Sequence, residues 1–379
     1  MKNTPEIRFK GFTDDWVQRK LGEVAKIVTG STPSTKERGL YNGDYLFVSP
    51  VDIQENRYII KTKTTLSEEG FNKCRKIRQG ASFFVCIGST IGKIAQATIE
   101  SVTNQQINSV IGNNYIDDDF TYTLLEKESE EIPKLSATQA VPIINKTTFE
   151  NIILTLPEMK AEQSAIGNFF RILDKINGLY KRKTENLKLL KKACLQQMFP
   201  NDGETVPKIR FTGFTGDWEE VKLGDVVKVN SGRDYKHLNF GNIPVYGTGG
   251  YMLSVDESLS DNDAIGIGRK GTIDKPQLLR TPFWTVDTLF FMIPEKNNDL
   301  LFLYALSQGI EWAKLDESTG VPSLSKINIE NIVKYFPSFP EQAAIGGFFL
   351  NLDMQISAQA QILEQYKKLK MAYLHKMFI

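Results

Sequence analysis

At 379 residues the chain exceeds one ordinary hydrophobic core, so two domains with connecting elements are expected. With 41% hydrophobic and 24% charged residues it is not a disordered chain, and a net charge of +1 argues against strong unaided binding to a polyanion unless cations are gathered in patches. Cys74, Cys86 and Cys194 show no paired spacing and only His237 and His375 are present, which argues against a disulfide framework and a zinc module.

The chain starts MKNTPEIRFKGFTDDW, without an apolar signal core, and no later run approaches the roughly 20 apolar residues of a membrane span, so a cytoplasmic location with no membrane partner is expected. Residues 5–30, PEIRFKGFTDDWVQRKLGEVAKIVTG, return at 207–232 as PKIRFTGFTGDWEEVKLGDVVKVNSG, with 15 of 26 positions identical at a constant offset of 202. Between residue 31 and the first long helix the pattern is mixed: a Gly/Pro/Ser-rich opening, strands around 83–87 and 94–99, and an amphipathic run over 120–131. The second middle is shorter, with strands near 264–267 and 289–293 and a helix over 300–315. Thr90, Ile91 and Lys93 match Thr272, Ile273 and Lys275, and VPIINKTTFENI (141–152) matches VPSLSKINIENI (321–332).

The other repeated stretch spans 162–199 and 341–378 and matches without a gap. Ile166, Leu173, Tyr180, Leu187 and Cys194 fall at seven-residue spacing, flanked by Phe169, Ile176 and Leu190. The second copy puts Ile345, Leu352, Gln359, Tyr366 and Tyr373 in those slots, beside Phe348, Ile362 and Leu369. Each stretch predicts a helix of about 57 Å at ~1.5 Å per residue, and neither hides its stripe alone. Mutual antiparallel packing is the economical solution; two unrelated surface helices are the alternative. The plan is cyclic (opening box, variable middle, long helix), so antiparallel helices would relate the two middles by an approximate two-fold axis. The fold class expected is α+β: two α/β domains in pseudo-two-fold arrangement joined by two long antiparallel coiled-coil helices. Its segments are 1–160, a central helix and linker over 161–206, a second domain over 207–340, and a C-terminal helix over 341–379.

These features together resemble the specificity subunit of a type I restriction-modification system, over essentially the whole chain. The resemblance is carried by the duplicated W-x-x-x-x-L-G box (16–22 and 218–224), GSTPST followed by NGDYLFVSPVDI, IGSTIGK with TNQQIN (103–108), NIPVYGTGGY (242–251), and the duplicated EQxAIGxFF helix starts. The second domain departs from the first, with RKGTIDK and TVDTLF in place of IGSTIGK and TNQQIN. The resemblance implies a non-catalytic chain in which two target recognition domains each read one half of a split, asymmetric sequence in double-stranded DNA. It implies two modification (methyltransferase) subunits that methylate adenine N6, restriction subunits in the full complex, and S-adenosylmethionine, ATP and Mg on those partners rather than here. A partner that fuses methyltransferase and nuclease, or a coiled-coil scaffold that reads no DNA, are the alternatives. No catalytic, metal or cofactor-binding residue is expected in this chain: it has no amino-methylation motif and no P-loop. Gly266, Gly268 and Gly271 spell GxGxxG, but Pro276 stands where a following helix would make its first turns, so a turn is expected.

Contact with DNA calls for basic, amide, hydroxyl or aromatic residues on the diverged loops. The first domain offers Lys36, Arg38, Tyr41, Lys73, Arg75, Lys76, Arg78, Ser89, Thr90 and Lys93; the second offers Arg233, Tyr235, Lys236, His237, Tyr246, Thr248, Tyr251, Arg269 and Lys270. A solvated surface residue or a framework hydrogen bond explains any single one as well. The cluster KCRKIR (73–78) stands out, because four cations in six residues repel unless an anion relieves them. Lysines 181, 183, 188, 191 and 192 fit a solvated helix face better than a DNA track. The boxes around Trp16, Leu21, Trp218 and Leu223 and the exposed sides of the long helices are candidate docking surfaces, with local core packing as the equal alternative for the boxes. Two half-site contacts joined rigidly gain affinity through effective concentration, so the modest net charge is compatible with DNA reading once partners are docked.

Overall fold

The structure, a computed structural model, describes residues 4–136 and 142–379. Val141, the first residue of the VPIINK match, lies outside them. The chain divides into two compact units, residues 1–182 with 361–379 and residues 183–360. The division falls inside both long helices, Lys160–Gln197 and Phe339–Lys376, rather than at their ends. Each helix starts two residues before its repeated Glu; Pro340 is tolerated there because a first-turn residue needs no intrahelical N–H bond.

In the first unit a five-stranded sheet runs in the order Ala25–Thr29, Ile107–Gly112, Ser82–Val85, Ile94–Ala97, Tyr58–Ile59. Its strands carry apolar side chains on both faces because both faces are covered, with Ser82, Gln96, Asn108 and Ser109 as buried polar exceptions. Ile27, Phe84 and Val110 face a cluster shared with the helices, while Phe83, Val85 and Ile107 face a second cluster. A four-stranded sheet (Thr64–Leu66, Tyr41–Val48, Ser101–Thr103, Lys76–Ile77) and a ribbon of Val17–Lys20 with Ile153–Leu156 complete the unit.

The second unit repeats this plan with less material. Its main sheet has the order Val227–Ser231, Leu289–Pro294, Ala264–Gly268, Gln277–Leu279. Again Val229, Ile267 and Met292 face the helix-side cluster, and Ala264, Leu289 and Phe291 face the other. A three-stranded sheet and a ribbon of Glu219–Lys222 with Val333–Phe336 accompany it.

The start of each long helix is seated by the same device. Asp117 caps the helix Asp118–Lys127 by accepting from the Phe120 amide at 3.0 Å, and Asp299 caps Leu300–Gly309 by accepting from Phe302 at 2.8 Å. Over each cap the Gln side-chain oxygen, of Gln163 or Gln342, accepts from the cap residue's own amide at 2.9 and 3.0 Å. Their side-chain nitrogens donate to the carbonyls of Pro157 and Pro337. A Cβ on Gly167 or Gly346 would stand 2.5 Å from the amide of Phe120 or Phe302, so the motif EQxAIG ends in glycine for close approach.

Within each unit the helical segments pack antiparallel, as the stripes require. In the first, Phe169 meets Tyr373 with ring centroids 5.0 Å apart and Tyr180 stacks on Tyr366 at 5.4 Å, so residue numbers rise on one helix as they fall on the other. In the second, Lys191 pairs with Asp353, and Phe199, just past the first helix, meets Phe349. Two flanking positions are corrected: Leu190 is 48% and Leu369 42% exposed, outside the buried seam.

Other boundaries are corrected too. The strands expected at 83–87 and 94–99 are Ser82–Val85 and Ile94–Ala97, and the amphipathic run is the helix Asp118–Lys127 followed by tighter 3-10 turns. The helix expected over 300–315 ends at Gly309, and Trp312 folds back in a separate turn with its indole N–H donating to the Ser307 carbonyl at 2.8 Å. The alignment of the IGSTIGK loop shifts by one. Gly88 and Gly271, both at positive φ, donate their amides to Pro142 and Pro322, so Gly88 corresponds to Gly271, and Cys86 and Ile87 to Arg269 and Lys270. Among the described residues no helix is long and apolar enough to cross a membrane.

Candidate nucleic-acid interface

The repeated residues form a frame that ties each opening box to a helix start. Arg8 donates to both oxygens of Glu162, at 2.6 and 2.8 Å, and Arg210 does the same to Glu341 at 2.7 and 2.8 Å. Both carboxylates are 1% exposed, and hydrogen bonding to them raises the pKa of Arg8 and Arg210. The two ion pairs are therefore desolvated and geometrically matched, the case in which such pairs are strong. Trp16 packs edge-on against Phe120 and Phe378, and Trp218 against Phe302 and Phe199. This corrects the docking expectation at Trp16, Leu21, Trp218 and Leu223. All four side chains lie in the cores, at 0–2% exposure, and present nothing to a partner.

The KCRKIR cluster is dispersed rather than pooled. Lys73 pairs with Glu69 and Glu37, which raise its pKa, and Lys76 sits over the Phe71 ring. Arg78 makes a two-pronged pair with Asp118 at 2.6 and 2.9 Å and donates to the Gly112 carbonyl. The chain's own acids thus relieve Lys73 and Arg78, and the repulsion argument for an external anion fails for those two. Arg75 lies at the other end of the main sheet, donating to the Thr29 carbonyl at 2.7 Å while its amide donates to Ser31 Oγ.

That sheet end is where the diverged loops of the first unit meet. Thr32 donates to Gln105, Asn104 to Gln106, and Gln106 lies beside the turn that carries Ser89 and Thr90. Gly30 is pressed so close to the carbonyls of Thr103 and Asn104, 2.3 and 2.1 Å from a would-be Cβ, that no side chain fits. Arg75, Ser89, Thr90, Thr32 and Gln105 therefore share one hydroxyl- and amide-rich edge. Thr32 and Gln105 were not among the candidates; Gln105 was legible only as part of TNQQIN. Lys36 and Arg38 are exposed on the neighbouring loop, and Lys93 follows Thr90 after the turn. Tyr41 is a framework residue, its hydroxyl donating to the Pro33 carbonyl at 2.7 Å and its pKa raised by burial.

The corresponding end of the second unit is more basic. The Arg233 amide donates to the Thr285 carbonyl, matching Ser31 on Thr103, and the indole N–H of Trp284 donates to the Arg233 carbonyl. His237 stands edge-on to Trp284 at 5.9 Å. Thr248 is brought beside Gly271 by Gln277, whose amide nitrogen donates to the Gly247 carbonyl at 2.8 Å. Arg233, His237, Thr248, Arg269 and Lys270 so converge, with Lys236 exposed nearby. Tyr235 and Tyr246 are half-buried against the unit's satellite cores. Tyr251, 64% exposed, stands apart, with its hydroxyl beside Ser254. On the first long helix Lys181 pairs with Glu55 and Lys191 with Asp353, while Lys183, Lys188 and Lys192 are exposed. The turn expected for the GxGxxG string is found at Gly271 alone, at φ 89°; Gly266 and Gly268 lie in a strand instead.

What the two units define is a duplicated pair of α+β modules, alike in frame and unlike at the sheet end where polar loops meet. The chain belongs to the family described as the type I restriction modification DNA specificity domain, whose model matches residues 13–189 and 215–368. It is 22% identical over 407 aligned positions to the type I restriction enzyme MjaVIII specificity subunit of Methanocaldococcus jannaschii, covering 97% of this chain and 93% of that one. It is 25% identical over 233 residues to the MjaIX specificity subunit of the same organism, a match covering 58% of this chain and about half, 53%, of that relative. The fold is that of the type I restriction-modification S subunit from M. genitalium, with a TM-score of 0.75 over 99% of both chains at 18% identity. Membership makes this chain a DNA-specificity component rather than a catalytic one.

Proposed function

We propose that the two units read the two halves of a bipartite, asymmetric site in double-stranded DNA, and that the paired helices fix the spacer between them. One observation carries this reading. The repeated arginine–glutamate pairs make the same hydrogen bonds in both units, whereas the loops meeting at the sheet ends carry different chemistry: mainly amide and hydroxyl groups beside Arg75 in the first, mainly cations and an imidazole beside Thr248 in the second. Phosphate contacts position a protein and base-edge contacts specify, and different loops on one frame suit different words. Two modification subunits dock on the repeated framework and methylate adenine N6, restriction subunits join them, and S-adenosylmethionine, ATP and Mg belong to those partners. The complex works in the cytoplasm. With the tryptophan boxes in the cores, docking falls to exposed helix positions such as Ile172, Leu179 and Leu189.

The spacer assignment is tested by inserting four residues near Asn186 and mapping methylation in cells co-expressing the partner methyltransferase. The expected motif keeps both halves and gains spacer length; unchanged spacing refutes the helices as a ruler.

A further inference from the structure

Beside the sheet end of the second unit lies an open cleft of about 360 Å³ lined by Arg269, Lys270, Lys326, Ser231, Ser323 and Ser325, with Glu317 as the acid at its edge. Its walls are held by main-chain bonds. The Arg269 amide donates to the Thr288 carbonyl at 2.8 Å, its carbonyl accepts from Leu324 at 2.9 Å, and Lys270 bridges to Ser323. The Arg269 guanidinium rests over the Phe290 ring, 5.6 Å from its centroid, and its Nη1 reaches the Asp287 carbonyl at 3.5 Å, so it is held by stacking and one long main-chain bond rather than by a carboxylate. Among the described residues neither Arg269 nor Lys270 enters an ion pair, and Lys326 reaches only Glu330, one helical turn on, at 3.5 Å. Glu317 is engaged in turn by the Asn328 side chain. Ser325 Oγ accepts from the Asn328 amide, so its O–H remains a donor. Three cations and serine hydroxyls therefore surround one concave space with a single acid, a donor set made for a singly charged, oxygen-rich anion.

We propose that this cleft seats one backbone phosphodiester of the DNA, and that it exists in the second recognition domain alone. This rests on the DNA-reading function proposed above and adds which residues fix the register of the second half-site. The described residues of the first unit do not build it. At the positions corresponding to Arg269, Lys270 and Ser323 stand Cys86, Ile87 and Ile143; of the three cations only Lys326 has a basic counterpart, Lys146, paired with Glu150 at 3.4 Å, and Thr29 stands for Ser231. Cys86 is buried and its sulfur accepts from Asn108, so that place is part of the core. The second half-site is therefore gripped with a stronger electrostatic component than the first.

The test uses the full chain assembled with its methyltransferase partner and a fluorescent duplex of mixed sequence, with binding followed across a range of salt. Lys270→Gln with Lys326→Gln is the primary variant, since neither side chain packs in a core; Arg269→Gln, which also loses the stack on Phe290, is the second. Each is expected to weaken binding about ten-fold at low salt and to lower the slope of log affinity against log salt by about 1, equally for duplexes of different second half-site. An unchanged slope with a normally binding wild-type complex overturns the seat and leaves the function standing. A loss confined to one second half-site sequence also overturns it, since that is base reading. A wild-type complex that binds no duplex overturns the functional reading and the seat with it.

Discussion

Replacing Asp174 with alanine is expected to cost the first unit about 3–5 kcal/mol, the usual result of stripping one partner from a buried charge network. Asp174 lies on the first long helix and accepts from Arg57 Nη1 at 3.1 Å while pairing with Lys370 of the second. Arg57 is 5% exposed, clasped by Asp119 at 2.5 Å and Gln96 at 2.8 Å and lying over the Tyr122 ring. Lys370 also meets Glu126, whose carboxyl is pushed up by burial, with the lysine acting against that shift. Removing Asp174 takes one negative charge from between the buried Arg57 and the partly buried Lys370, and water has little room to replace it. In the second unit the corresponding aspartate, Asp353, has Lys191 as its one ion-pair partner among the described residues and is 29% exposed, so Asp353→Ala should cost roughly 1 kcal/mol or less. Hydrogen exchange along Ser82–Val85 and Ile107–Gly112 for the first variant, and along Ala264–Gly268 for the second, reads the two effects separately. Equal costs would show that Arg57 adds nothing to the network.

The second large effect is expected at Glu162 and Glu341. Alanine at either leaves an arginine that is 13–14% exposed without its carboxylate, again about 3–5 kcal/mol by the same reasoning. Glu162 also accepts from the Trp16 indole at 3.3 Å, whereas among the described residues the Trp218 indole has no hydrogen-bond partner. Glu162→Ala should therefore be the more damaging by about 1 kcal/mol, the worth of one buried hydrogen bond. Denaturant midpoints of the two variants, followed at each unit by hydrogen exchange, check both the size and the order.

How far the sequence discloses this molecule follows from the range of the interactions involved. The long helices are legible because their periodicity is local, and the double plan because fifteen opening-box positions repeat at one offset. The end of the helix at Gly309 is not, since Leu300–Gly309 and Trp312–Leu315 are both apolar and the break is set by Trp312 turning back into the core. Partners distant in sequence stay hidden as well. Nothing near residue 78 announces Asp118, and nothing near residue 57 announces Asp174, so a cation cluster reads as a surface patch until the fold supplies its acids. Tryptophan is ambiguous in another way, because the same ring suits a docking face and a core; only the geometry of Phe120 and Phe378 around Trp16 decides it. The basic cleft needed the one-residue shift that aligns Ile87 with Lys270, which identity alone misplaces.

The central claim is that unlike loops on a common frame read unlike words. The most direct measurement is methylation mapping in cells that co-express this chain with its methyltransferase, before and after residues 31–148 are exchanged for those of a relative. The account predicts adenine marks in a bipartite, non-palindromic motif in which one half changes and the other is untouched. A palindromic motif, or an exchange that alters both halves together, would contradict it.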